Sequence, residues 1–102
     1  MQVILSPRAM ADLNDIFDYN LAKRGRQAAE TYAEFLESSI ELIPDRWQSD
    51  LNVGGRLDTF AHTITRRSKR DGHVAIYRVD EAAATITVLA VFHTKQNWPE
   101  QI

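Results

Sequence analysis

The spacing of hydrophobic and polar residues changes along the chain, and each change marks an element. Val3, Ile4 and Leu5 form a short β-prone run that ends at Ser6-Pro7. Ser6 suits a helix N-cap and Pro7 suits the first helical position, so a strand followed at once by a helix is predicted. From Pro7 to about Lys23, Met10, Leu13, Ile16, Phe17 and Leu21 recur at helical spacing, while Asp12, Asp15 and Asp18 take other positions. Arg24-Gly25 breaks this helix. From Gln27 to Ile43 one stripe carries Ala28, Ala29, Tyr32, Phe35, Leu36, Ile40 and Ile43, and another carries Glu30, Glu34, Glu37 and Glu41. Pro44 is expected to stop it. Two such helices joined by a tight turn read as an antiparallel hairpin whose apolar faces need a further surface.

A polar, turn-prone connection around 45–55 precedes three β-type segments. Phe60, His62 and Ile64 alternate with Thr and Ala within 59–65, a second segment runs from His73 to Val79, and a third, Thr85 to Phe92, is rich in Thr, Ile, Val and Leu. Asp71-Gly72 and 80–84 supply the hairpin turns. The order β-α-α-β-β-β predicts an α+β domain, a helical hairpin packed on a mainly antiparallel sheet, with residues 1–102 forming one unit.

Size and charge narrow the function classes. A chain of 102 residues with 44% apolar content supports one core. A core this small gives modest stability that a binding partner readily raises. With no cysteine, disulfides and thiolate metal sites are excluded. The first residues lack a basic segment followed by a long apolar run, so a cytoplasmic protein with no membrane span is expected. The net charge of −2 conceals a segregation: residues 8–50 carry five basic and nine acidic side chains, residues 56–78 six basic and two acidic. Arg66, Arg67, Lys69 and Arg70 crowd one stretch, either a solvated loop or a patch facing anions or an acidic protein. His62, His73 and His93 sit on or beside different strands without the close spacing of a ligand pair; hydrogen bonding of His73 and His93 near strand ends is expected, with no metal and no cofactor.

Leu5-Ser6-Pro7 with Ala9, Asp12-Leu13 and Ile16; Gly25 with Ala28, Ala29, Tyr32 and Leu36; Gly72-His73-Val74-Ala75-Ile76-Tyr77-Arg78-Val79; and Ile86 through Val91-Phe92-His93 together resemble, in order and spacing, the RelE/ParE superfamily of type II toxin-antitoxin toxins. The Gly72–Val79 segment is most similar to the ParE branch. The resemblance implies a growth-inhibiting toxin bound by a ParD-like antitoxin in a hetero-oligomer. It also implies a choice of target, since ParE-like members are associated with poisoning DNA gyrase and RelE-like members cut messenger RNA on the ribosome.

Chemistry favours the first. Cleaving RNA through its 2'-hydroxyl needs a base, an acid and cations around the phosphorane. In the nuclease branch a basic side chain commonly follows the histidine position of the Gly-His segment, and here that residue is Val74. The net negative charge also disfavours direct nucleic-acid binding. The expectation is therefore a non-enzymatic inhibitor of gyrase. A ribosome-dependent nuclease using Arg78, His93 or Lys95 is the alternative, and an antitoxin-binding module without toxicity is a second.

Candidate target contacts are Arg66, Arg67, Lys69, Arg70, Lys95 and Trp98, the last in a C-terminal segment that the resemblance implicates in toxicity. Its ending lacks the basic character common among the relatives. Candidate antitoxin contacts are Leu13, Phe17, Tyr32, Phe35 and Leu36, as apolar anchors of a groove, together with Arg78. The five apolar positions also suit a plain core, and Arg78 an internal ion pair.

Overall fold

In the computed structural model, which describes residues 1–65 and 72–101, the chain runs β1 (Gln2–Leu5), α1 (Pro7–Arg24), α2 (Arg26–Glu41), α3 (Ile43–Arg46), a 3₁₀ turn (Trp47–Ser49), β2 (Leu51–Asn52), β3 (Thr59–Thr65), β4 (Gly72–Asp80), β5 (Thr85–His93) and a last 3₁₀ turn (Trp98–Gln101). Arg66, Arg67, Lys69 and Arg70, with Asp71 of the first hairpin turn, lie outside the described residues. The sheet order is β1-β5-β4-β3-β2; β1 runs parallel to β5 and the other pairs are antiparallel.

The predicted helical hairpin and strands are present, with two corrections. α2 ends at Glu41, before Ile43, and Pro44 opens the next turn of helix, where its missing N–H costs nothing. The expected connection holds α3, a 3₁₀ turn and β2, elements too short to leave a periodic signal. Between α1 and α2, Gly25 adopts φ 88°, a left-handed value that a side chain would resist, and its N–H bonds the Leu21 carbonyl at 3.2 Å.

Both sheet faces are covered, which explains the nearly continuous burial of β4. On one face Ala75, Tyr77, Val79, Ile86, Val88 and Val91 pack with Phe60 and Ile64 of β3 beneath Leu36, Ile40 and Ile43. On the other, Ala61, Val74, Ile76, Ala90 and Phe92 are covered in part by Val53, Leu89 and Trp98. Ile76 pairs with Ala90 but Tyr77 with Val88, so Leu89 is an extra residue in β5. That bulge switches which residues of β5 face the helices, from Ile86 and Val88 to Val91.

The bulge also frees backbone groups that α1 satisfies. Ser6 caps α1 by accepting from the Ala9 N–H at 3.1 Å and donates its hydroxyl to the Leu89 carbonyl at 3.0 Å. Asp12 accepts from the Val91 N–H at 2.9 Å. β1 stops pairing at Val88, and α1 takes over that strand edge. Ser6→Ala removes a cap and an edge bond together, so a cost of about 1–2 kcal/mol is expected in urea unfolding, whereas Ser6→Thr should retain most of it.

Candidate interaction site

β4 divides its residues between the two faces of the sheet, because side chains alternate along a strand. Tyr77 points under the helices and is fully buried; Arg78 is exposed on the opposite face with Val74 and Ile76. No carboxylate among the described residues pairs with Arg78, so the internal ion pair is not seen there.

Arg78 has company on that face. With Arg8 and Arg56 it borders a shallow cavity of about 250 Å³ floored by Ile76, Ala90 and Phe92. Arg8 lies over the Phe92 ring, 5.1 Å from its centre, and reaches Asp12 at 3.5 Å. Arg56 reaches Asp58 at 3.4 Å. Loss of hydration alone raises the Asp58 pKa, but hydrogen bonds from Thr59 and Arg56 and the Arg56 charge outweigh it and hold the carboxyl below its ordinary value. Both partnered arginines are exposed, and such pairs exchange partners at little cost. Three guanidinium groups around an apolar floor suit an acidic segment that also presents an apolar side chain.

Of the expected contacts, Trp98 is half-buried against the Val74, Ile76 and Phe92 cluster, so the tail lies on the arginine-bearing face. Lys95 is exposed, and its backbone N–H bonds His93 Nδ1 at 3.0 Å. Of the five hairpin residues, Leu13, Phe17 and Leu36 line one small cleft between α1 and α2, and Tyr32 and Phe35 lie outside it. Leu36 is 1% exposed, and Leu13, Tyr32 and Phe35 pack against the same core. Phe17 is half-buried at that cleft. Arg8 and Arg56 were not legible as partners of Arg78, because only the register of β3, β4 and β5 with the start of α1 brings them together.

The histidines divide between two networks. His62 Nδ1 lies 3.0 Å from Asp50, which also accepts the Tyr77 hydroxyl at 2.6 Å. Burial first, then the bond to Asp50 and its charge, push the Tyr77 pKa far above its usual value. His73 Nδ1 bonds the Tyr32 hydroxyl at 2.5 Å, and the His73 and His93 rings meet edge to face at 5.2 Å. Among the described residues no three metal-ligating side chains cluster.

Burial, and secondarily the charge of His93, push the His73 pKa from 6.5 down to about 4. Above pH 6.5 the ring is neutral in both states; between 6.5 and about 4 only the unfolded chain gains the proton, so stability falls with acidification across that window. The expected loss is about 1–2 kcal/mol after screening of this partly exposed ring is allowed for. Urea midpoints from pH 7 to 4 should fall less steeply in His73→Gln than in the parent.

Residues 3–98 match the family model of the ParE toxin of the type II toxin-antitoxin system parDE. The chain belongs to the ParE toxin family. Toxin ParE1 of Caulobacter vibrioides is 33% identical over 96 residues, spanning 91% of this chain and 88% of that one. The fold resembles the chromosomal ParDE system of P. aeruginosa at a TM-score of 0.69 and 17% identity, covering 93% of this chain and 97% of the other. It also resembles a chain of the intact E. coli RelBE toxin-antitoxin complex at 0.62 and 16% identity, covering 93% and 98%. This ParE-family chain therefore shares its architecture with both branches of the superfamily, and its membership in the ParE branch comes from sequence. Among the described residues no helix is long and apolar enough to cross a membrane.

Proposed function

We propose that this ParE-type toxin arrests growth by binding and trapping DNA gyrase, without chemistry of its own, and that a ParD-like antitoxin holds it inactive. The observation that carries the reading is Val74. At the position where the nuclease branch commonly carries a basic side chain, this chain has an apolar one only 1% exposed, sealed among Ala61, Ile76, Ala90 and Phe92. An apolar, enclosed group can neither stabilise a phosphorane nor transfer a proton. Antitoxin binding is supported by the Arg8, Arg56 and Arg78 rim, whose charge and apolar floor suit an acidic segment that folds as it binds.

The test is induction of the toxin alone in a bacterial host, following growth, DNA supercoiling and protein synthesis together, with a purified gyrase supercoiling assay beside it. Growth arrest with altered supercoiling while translation continues is the expected result. Early collapse of translation with cleaved messenger RNA transfers the chain to the nuclease reading. Undisturbed growth under strong induction leaves only an antitoxin-binding module.

A further inference from the structure

A larger cavity, about 660 Å³, lies on the helix side of the sheet where α1 and α2 meet the ends of β4 and β5. Its size falls within the range of small-molecule sites. Asn20 of α1 borders it, is only 9% exposed and makes no side-chain hydrogen bond among the described residues. No fully enclosed side-chain polar atom among those residues lacks a partner, so the unbonded Asn20 amide has access to open space, at this cavity or at the small cleft between α1 and α2 that it also borders. The rings of Tyr32, His73 and His93 also line it, as does the exposed Tyr19. Tyr32 uses only one nitrogen of His73, and the other has no partner among the described residues. Arg24, also on the rim, makes no ion pair among them.

We propose that this cavity binds a nucleoside monophosphate, with the base against the ring wall, its polar edge on the Asn20 amide and its phosphate on Arg24. Each part of the site calls for one part of that ligand. An amide offers a donor and an acceptor side by side, which a base edge meets with paired bonds. Aromatic and imidazole rings stack on any base. A guanidinium binds phosphate in a forked geometry. An aliphatic acid leaves the rings unused, and an apolar ring leaves the Asn20 amide without a partner, which carries its own penalty. Asp15 and Arg24 both line the cavity, so a cation drawn by the carboxylate also meets the guanidinium, and the phosphate is placed on the Arg24 side. The proposal depends on neither the gyrase nor the antitoxin reading, since those rest on Val74 and on the arginine-bordered cavity, both across the sheet.

The chain has three histidines, so its imidazole proton spectrum is simple to assign with single His→Gln variants. Titrating purified protein with AMP, GMP, CMP and UMP should move the His73 and His93 signals, leave His62 in place, and saturate at millimolar concentration or below. Arg24→Gln, an exposed change, and Asn20→Ala should each weaken binding by about tenfold. The proposal is overturned if no nucleotide moves His73 or His93, or if Arg24→Gln binds as the parent does. It is equally overturned if inorganic phosphate reproduces the shifts at the same concentration, or if indole-3-acetate binds where no nucleotide does. Retained binding in a folded Asn20→Ala variant removes the role given to the amide and, with it, the base-edge recognition proposed.

Discussion

Asp50→Ala is expected to lower the unfolding free energy by about 3 kcal/mol, the largest effect of any single polar side chain among the described residues. One carboxyl group holds both the fully buried Tyr77 hydroxyl, at 2.6 Å, and the His62 ring, at 3.0 Å. Only 15% of the Asp50 side chain and 14% of the His62 side chain are exposed, so water does little to replace the lost bonds. Tyr77 cannot swing out to find a new partner, because its ring stacks on Phe60 with centres 5.6 Å apart, and Trp47 closes the other side of Phe60 at 5.4 Å. Alanine therefore strands a hydroxyl in the core. Asp50→Asn keeps an acceptor and should cost less than half as much, and Tyr77→Phe, which removes the stranded group itself, about 1 kcal/mol. Urea unfolding of the three variants and of the Asp50→Ala/Tyr77→Phe double variant measures the coupling directly. If the double variant is less stable than Asp50→Ala by the full cost of Tyr77→Phe, the hydroxyl and carboxyl act independently and the network is refuted.

Asp50 also shows where the sequence stops being informative. Periodicity located both main helices, β3, β4 and β5, because each carries an apolar stripe that repeats several times within one element. Asp50 stands in a connection with no repeat, and its partners are 12 and 27 residues away on two other strands. Ser6 was legible as a cap because capping is local. Its second bond, to Leu89 across 83 residues, depends on a bulge in β5 that no local pattern announces. The same distinction applies to the interaction face. Arg78 could be read as emerging from an apolar strip on β4 alone, whereas its grouping with Arg8 and Arg56 requires the assembled sheet. Conversely, the apolar positions Leu13, Phe17, Tyr32, Phe35 and Leu36 carried two meanings, core or groove, that spacing cannot separate. Burial assigns Leu36 to the core outright and packs Leu13, Tyr32 and Phe35 against it, while Phe17 borders the cleft between α1 and α2.

Leu36→Ala and Arg78→Ala should both weaken the toxin-antitoxin complex, by routes that one pair of measurements separates. Leu36 is among the largest fully buried side chains and helps hold α2 on the sheet, so truncation to alanine should cost about 3 kcal/mol. In a domain of this size that lowers Tm by about 10–20 °C and leaves much of the total stability gone. Arg78 is exposed and unpaired among the described residues, and its loss should change stability by less than about 0.5 kcal/mol. With a ParD-like antitoxin on the arginine-bearing face, the order reverses in the complex. Binding favours the folded state by mass action, so saturating antitoxin should return most of the Leu36→Ala Tm. Arg78→Ala should instead bind antitoxin about tenfold or more weakly, with the deficit growing at low salt, where a charge-assisted contact counts most. Titration calorimetry and thermal unfolding on the same two variants suffice. Normal antitoxin affinity in Arg78→Ala would move the antitoxin off this face, whatever the outcome for gyrase.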